Sequence, residues 1–248
     1  MKHFAPGLLP SVVVLVLLPV LVSLGFWQLG RVEQKRVMLA THAERQAESP
    51  GSIDQLLNSA DAAYRRVQLR GAFDAEHSLL LDNSTREGKA GVELIQPFQD
   101  QASGVWVWVN RGWLPWPDRR TAPAFSTPTQ PVSLQAWVYV IPATFQLQAD
   151  SANAPWPRLV TAIEPSRLWA ELGREGFAQE LRMESGLGAY RVDWPVVAMG
   201  PEKHLGYAVQ WFSMAVALIA LYLYLGWHQA KHNKKRPENP HGNDHQHV

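Results

Sequence analysis

The sequence contains no cysteine, and this absence excludes several kinds of chemistry. A chain without cysteine has no disulfide, no thiolate nucleophile, no zinc ribbon and no Cys-based copper site. A surplus of charge of one sign is also lacking, since 23 Lys+Arg stand against 22 Asp+Glu and the formal net charge is +1. The one basic run lies in the C-terminal tail, so the chain lacks the basic face of a nucleic-acid-binding fold. We expect no nucleic-acid partner.

The common catalytic signatures are missing as well. There is no G-x-S-x-G elbow, no H-E-x-x-H helix and no G-x-G-x-x-G turn. Gly88-Lys89 lacks both the upstream glycine and the following Ser/Thr of a phosphate-binding loop. The sequence therefore predicts a protein that is not an enzyme. What it does have is 46% apolar residues and 10% aromatics, enough for a sizeable core beside membrane segments.

Two long uncharged runs frame the chain, from Phe4 to Gly30 and from Leu205 to Trp227. About 20 apolar residues, rising roughly 1.5 Å each, cross the hydrocarbon core of a bilayer, so both runs predict transmembrane helices. The alternative for the first run is a cleaved signal peptide, since Lys2 gives a positive start and Ser23 and Gly25 are small enough for a cleavage site. The length of the apolar stretch favours a span.

Two spans place both termini on one side of the membrane. Cations flank the spans on both sides, but long translocated loops are largely exempt from the positive-inside rule, so the basic tail decides the orientation. We therefore predict five segments: a cytoplasmic N-terminus (1–7), a first transmembrane helix (8–29), an extracytoplasmic domain (30–204), a second transmembrane helix (205–227) and a cytoplasmic, basic, His-rich tail (228–248).

The middle region is typical of a β-rich domain. Helix-forming residues from Glu33 to Glu48 predict that the first helix continues beyond the membrane until Ser49-Pro50-Gly51. Short β-branched or aromatic runs bounded by turn residues then predict about six strands, at 66–73, 78–82, 92–98, 105–109, 132–141 and 190–199. A short helix is expected at 165–172, ended by Gly173. The predicted fold class is a membrane protein with two transmembrane α-helices flanking one β-rich extracytoplasmic domain, a barrel or a sandwich of α+β type.

The run Val105-Trp-Val-Trp-Val109 alternates strictly between two residue types. Successive side chains of a strand point to opposite faces, so Trp106 and Trp108 share one face and the valines the other. We interpret it as a core strand with one tryptophan-covered face; a ligand platform is the alternative. His42 and His77 are expected to be exposed.

Polar and aromatic residues with helical spacing lie where the first span ends and the second begins. On the second span, Tyr207, Ala208 and Trp211 follow His204 at i+3, i+4 and i+7. The first span carries Leu24, Trp27, Gln28 and Arg31 at the same spacing. One interpretation is an interfacial belt, in which aromatic rings and helix-end cations sit at the headgroups. The other is a site for an amphiphilic planar ligand, with His204 as an axial iron ligand and Arg31 pairing with a propionate.

Four segments in order carry a family resemblance. They are Gly25-Phe-Trp-Gln-Leu-Gly-Arg31 with Lys35, Tyr64-Arg-Arg-Val-Gln-Leu-Arg-Gly-Ala-Phe-Asp74, Val109-Asn-Arg-Gly-Trp-Leu-Pro115 and His204-Leu-Gly-Tyr-Ala-Val-Gln-Trp-Phe212. Together they resemble the Surfeit locus protein 1 family over almost the whole chain apart from the tail. The resemblance implies an assembly factor for haem-copper cytochrome c oxidase in the bacterial or mitochondrial inner membrane. It also implies that haem a is carried to the catalytic subunit of the oxidase, with haem a synthase as a further partner.

The resemblance assigns residues to the haem site. The histidine of the second-span motif is His204, and the W-Q-x-x-R element is Trp27, Gln28 and Arg31. With Tyr207 and Trp211 these form the expected cofactor-binding set, in which His204 ligates the iron. An alternative function is a cofactor-free scaffold that stabilises an oxidase intermediate through the extracytoplasmic domain. A third, an enzyme of haem modification, has little support because one histidine and no redox centre offer it little chemistry.

The motif Asn110-Arg111-Gly112-Trp113 directly follows a predicted strand. Glycine supplies positive φ and asparagine accepts it, so we favour a tight turn here. The alternative is a partner-binding loop.

Overall fold

The computed structural model describes residues 4, 6–57, 59, 61–141 and 154–233, and it divides into two compact units. One unit is Met1–Leu39 with Val197–Val248, and the other is Ala40–Val196. Most of the predicted basic, His-rich tail, residues 234–248, lies outside the described residues.

The first unit is a pair of long helices. The chain from Leu8 to Ala47 forms α1, and the chain from Pro201 to Asn233 forms α4. Both are long and apolar enough to cross a membrane by length and composition. The predicted continuation of the first helix beyond its apolar run is confirmed, since α1 ends within a residue of the predicted end. The second helix begins earlier and ends later than its apolar run, because Pro201 is well suited to a first helical position and polar residues extend the far end.

Side chains of α1 and α4 pack against each other in antiparallel order. Ser11 hydrogen-bonds Tyr222 at 2.9 Å, and the rings of Phe26 and Phe212 meet edge to face at 5.4 Å. A Cβ atom at Gly25 would lie 2.6 Å from the Phe212 ring, so glycine is required for this contact. Small side chains at the contact surface are typical of helices that pair in a bilayer.

The second unit is built on seven strands: β1 (Arg66–Phe73), β2 (Leu79–Arg86), β3 (Lys89–Asp100), β4 (Trp106–Pro115), β5 (Val132–Tyr139), β6 (Arg158–Val160) and β7 (Gly176–Met183). The sheet order is β1-β5-β7-β4-β3-β2-β6, and β1 also pairs with β3. That extra pairing closes β1, β5, β7, β4 and β3 into a barrel, while β2 and β6 extend from β3. Of the two predicted β architectures, the structure has the barrel. Two short helices complete the unit, α2 (Ile53–Leu57) and α3 (Pro165–Glu171).

The faces of β4 confirm the alternation expected from its sequence. Val107 and Val109 join the main core cluster with residues of β1, β5 and β7. Trp108 lies on the opposite face, fully buried, and stacks on Trp169 of α3 at 4.6 Å. Both faces of this strand are therefore core, and the ligand-platform interpretation of the tryptophans is wrong for Trp108.

The prediction of a last strand at 190–199 is wrong. Only Arg191 makes a bridge there, to Trp113, and Trp194 N–H bonds the carbonyl of Val192 in a turn. Pro195 lacks the N–H that a ladder requires. Two strands were not predicted: β6 has three residues, and β7 carries helix-forming residues such as Glu180 and Arg182. Tertiary pairing overrides that local preference.

Candidate functional site

Gln28 of α1 and His204 of α4 meet across the helix pair. The Oε1 atom of Gln28 lies 2.8 Å from Nδ1 of His204. Gln28 is 8% exposed although its side chain is polar, and His204 is half-buried in the first turns of α4. The structure thus brings together two residues that sequence spacing placed on facing surfaces.

The chemistry of this contact leaves one imidazole nitrogen available. An amide oxygen accepts hydrogen bonds and does not donate them, so Nδ1–H of His204 is the donor when the oxygen of Gln28 faces the ring. In the neutral form of that tautomer, Nε2 has a lone pair, which is the form that ligates metals. A histidine ligand whose second nitrogen is hydrogen-bonded in this way is the usual arrangement at protein metal sites. Haem iron is among the metals that such a histidine can bind.

Arg31 and Trp27 lie on an exposed part of α1, next to Gln28 in the helix. The guanidinium carbon of Arg31 is 5.5 Å from the centre of the Trp27 ring, and Nη1 donates to Oε1 of Gln34 at 2.7 Å. This places a cation on an exposed aromatic face, where it can pair with an anionic group of a ligand.

Tyr207 and Trp211 of α4 differ in exposure. Tyr207 is 45% exposed, whereas Trp211 is half-buried. Sequence reasoning missed Gly25 and Phe212, whose contact packs the two helices immediately beside Gln28. A glycine in one apolar helix and an aromatic residue in the other are the sequence signal for such a contact. One sequence does not show which ring packs against which glycine.

The motif at 110–113 is neither a tight turn nor a loop, so both predictions for it are wrong. These residues lie in the middle of β4, and all four are buried. Gly112 has φ of 117°, and a Cβ atom there would lie 2.8 Å from the carbonyl oxygen of Arg191. The positive φ of Gly112 therefore belongs to an irregular position within a strand that packs against residues 190–194, and not to a turn. These side chains therefore form core contacts and no partner-binding loop.

Asn110 links two buried carboxylates. Its Nδ2 donates to Glu93 and to Glu180, each at 2.8 Å. Burial raises the pKa of the Glu180 carboxyl, while the nearby Arg182 charge and the hydrogen bond from Asn110 act against that rise. The same Arg182 guanidinium lies 3.4 Å from the centre of the Tyr139 ring. This network satisfies polar groups inside the sheet and offers no open site.

Arg111 is a buried cation held by neutral acceptors. Its three nitrogens donate to the carbonyl of Gly188 at 2.8 Å, to Oε1 of Gln96 at 2.5 Å and to the carbonyl of Ser126 at 2.9 Å. The guanidinium also lies 5.2 Å from the centre of the Tyr190 ring. Burial lowers the pKa of Arg111. The residue joins β3, β4 and two later segments of the chain.

Among the described residues, the second unit contains one group with ligand types suited to a metal, Asp74, Glu76 and His77. Asp74 Oδ2 already accepts from Arg174 at 2.7 Å and from Nδ1 of His77 at 2.8 Å. Burial alone would raise the pKa of Asp74, but the hydrogen bonds from Arg174, His77 and the Glu76 backbone hold it below its ordinary value. We interpret the group as an ion-pair network.

The two histidines expected to be exposed are both half-buried. His77 meets the Trp156 ring edge to face at 5.1 Å. His42 contacts the rings of Tyr64 and Trp137, and burial lowers the pKa of its imidazole. Burial therefore favours the neutral form of His42.

The fold and the site define a class of protein in which one long apolar helix precedes a β-barrel domain in the sequence and a second one follows it. A sequence model of the SURF1 family matches residues 15–216, and the chain belongs to this family. A SURF1-like protein of Rickettsia felis is 26% identical over 225 residues, which cover 86% of this chain and 95% of the relative. One from Rickettsia bellii is 27% identical over 216 residues (84% and 87%), and one from Monosiga brevicollis is 33% identical over 106 residues (38% and 40%).

Proposed function

We propose that this protein is an assembly factor for haem-copper cytochrome c oxidase that carries haem a on His204 and is not itself an enzyme. Family membership supports the assembly role. The observation that carries the haem proposal is the 2.8 Å contact of Gln28 with Nδ1 of His204, which leaves Nε2 free at one end of an apolar helix pair. The proposed partners are the catalytic subunit of the oxidase, haem a synthase and the lipid bilayer.

The proposed location is an inner membrane, crossed twice. Among the described side chains, two polar contacts join α1 to α4, Gln28 with His204 and Ser11 with Tyr222. Gln28 lies 17 residues after Ser11, a rise of about 26 Å at roughly 1.5 Å per residue, close to the thickness of a hydrocarbon core. His204 then sits at the outer boundary of the bilayer, where a haem with a long hydrocarbon tail can remain in lipid. We keep the five segments 1–7, 8–29, 30–204, 205–227 and 228–248 as the proposed topology.

This topology predicts which introduced cysteines a reagent outside the membrane can label. Because the chain has no natural cysteine, any labelling comes from the introduced one. In bacterial spheroplasts, a membrane-impermeant maleimide should label Ala102→Cys, in the exposed turn between β3 and β4. Asn239→Cys, in the proposed cytoplasmic tail, should react only after lysis. The unmodified chain is the control and should give no signal. Labelling of Asn239→Cys in intact spheroplasts would contradict the orientation.

The haem proposal is tested by the visible spectrum of the full chain purified in detergent after co-expression with the enzymes that make haem a. We expect a haem a spectrum that co-purifies with the protein, because the free imidazole nitrogen and the exposed Arg31 suit an iron and an anionic propionate. The same preparation made without haem a synthesis is the control. A haem-free protein under ample haem a supply would refute haem carriage and favour the cofactor-free scaffold.

A further inference from the structure

We propose that Gln28 is a positioning residue, which holds His204 in the tautomer able to bind iron and does not itself contact the iron. This inference rests on the proposed haem function. It starts from one hydrogen bond between the two helices, from Nδ1 of His204 to Oε1 of Gln28 at 2.8 Å.

The direction of this hydrogen bond decides whether His204 can act as a ligand. When Gln28 presents its oxygen, the proton lies on Nδ1 and the lone pair on Nε2. If the amide were reversed, its N–H would donate to Nδ1, the proton would move to Nε2, and that nitrogen would have no lone pair for a metal. The orientation of the Gln28 amide therefore decides which tautomer the imidazole adopts, and the orientation in which Oε1 faces Nδ1 favours the form that can bind iron.

The surroundings of Gln28 suit this role better than direct contact with a ligand. Its side chain is 8% exposed and lies on the buried face of α1 with Gly25 and Val32. The hydrogen bond to His204 is part-buried, and a hydrogen bond shielded from water is stronger than an exposed one. Arg31 donates its hydrogen bond to Gln34 and not to His204. Within the described residues, the hydrogen-bond partner of the His204 ring is Gln28.

A neutral acceptor also suits a protein that must release what it binds. A carboxylate at this position would draw the Nδ1 proton toward itself and make the imidazole a stronger donor to oxidised iron. An amide orients the ring without adding charge. Gln28 is thus expected to favour the binding tautomer while keeping the ligand bond weak enough for transfer.

The first test needs no haem. Imidazole ¹⁵N chemical shifts of the full, histidine-labelled chain in detergent micelles report which nitrogen of each histidine carries the proton, and His204→Gln identifies the His204 signals. We expect His204 protonated at Nδ1 in the unmodified chain and a shift toward the Nε2-protonated form in Gln28→Leu. Gln210→Leu, at an exposed position of α4, is the matched control and should leave the signals unchanged. Equal tautomer populations in the unmodified chain and Gln28→Leu would overturn the inference, whether or not the protein binds haem.

The second test measures haem. Loss of a residue that orients a metal ligand typically weakens binding by about 10–100-fold, and we expect this range for haem a binding to Gln28→Leu. Gln28→Glu should keep bound haem and lower its reduction potential, a change that packing alone would not cause. A haem-free unmodified chain would refute the proposed function and leave the tautomer result standing. Haem binding that is equally tight in the unmodified chain and Gln28→Leu, at the same potential, would refute the role of Gln28 and leave the proposed function intact.

Discussion

Replacement of Arg111 by leucine is expected to destabilise the barrel domain by about 3 kcal/mol or more, because each buried acceptor left without a donor costs about 1–3 kcal/mol. The leucine would leave Oε1 of Gln96 and the carbonyls of Ser126 and Gly188 without their donor. Domains are stable by only about 5–15 kcal/mol, so much of the chain should fail to accumulate. The measurement is thermal unfolding of the full chain in detergent, followed by tryptophan fluorescence, where we expect a fall in Tm of roughly 10 °C or more.

The matched control is Arg70→Leu, which removes an exposed arginine from strand β1. Surface substitutions of this kind usually change stability by less than about 0.5 kcal/mol. Arg111→Lys separates charge from geometry, because lysine keeps the cation but loses the planar fork that reaches three acceptors. We expect this variant to be destabilised as well. Similar melting of Arg111→Leu and Arg70→Leu would contradict the structural role of Arg111.

The barrel shows which elements one sequence can predict. Strict alternation places Arg66–Phe73 as a strand with the observed ends, because polar and buried side chains alternate along it. Strand β7 does not show that pattern, since its last four residues are all buried and two of them are charged. Glu180 and Arg182 are tolerated there because Glu180 accepts hydrogen bonds from both Arg182 and Asn110. Such compensation involves distant residues, so local periodicity does not reveal it.

The hairpin between β2 and β3 was within reach of sequence reasoning. Glu87 and Gly88 have φ of 51° and 74° and form its two-residue connection. Positive φ at both positions is typical of a tight hairpin turn, and the glycine is its usual signal. The motif at 110–113 offered a similar signal and was misleading, because its positive φ belongs to an irregular strand position, Gly112. A glycine alone therefore does not distinguish a chain reversal from a strand irregularity.

The helix-pair site was predictable in part. Helical spacing placed Gln28 and His204 on facing surfaces at the same depth, and the structure joins them by a hydrogen bond. The direction of that bond and the packing of Phe212 over Gly25 depend on how the helices are rotated. One sequence contains no information on pairs of positions, so these details required the structure.

The burial of Arg111 also decides which variants can separate a haem carrier from a scaffold. Substitutions at 110–113 would harm a scaffold selectively only if this segment were exposed. Because its side chains are in the core, such variants are expected to destabilise the fold whatever the function is. Exposed positions of the barrel and His204 itself are the informative targets.

Replacement of His204 by alanine is expected to remove bound haem a from a protein that still folds and inserts. The imidazole supplies the proposed iron ligand, and its loss should lower the haem content of the purified chain at least about 10-fold. The alanine also leaves Gln28 without its partner, which costs about 1–3 kcal/mol. His204→Gln restores an amide partner for Gln28 without an imidazole, so both variants should lose haem, whereas only the alanine variant should lose stability.

Two controls make this result specific to the iron ligand. His228→Ala changes a histidine stacked on Tyr224 near the other end of α4 and should leave haem content unchanged. Added imidazole should restore a haem a spectrum to His204→Ala by entering the space left by the ring, which rescue of folding alone would not do. If His204→Ala retains the haem content of the unmodified chain, His204 is not the ligand. The aromatic and charged residues at the helix ends would then form an interfacial belt, and the iron ligand would lie elsewhere in the chain.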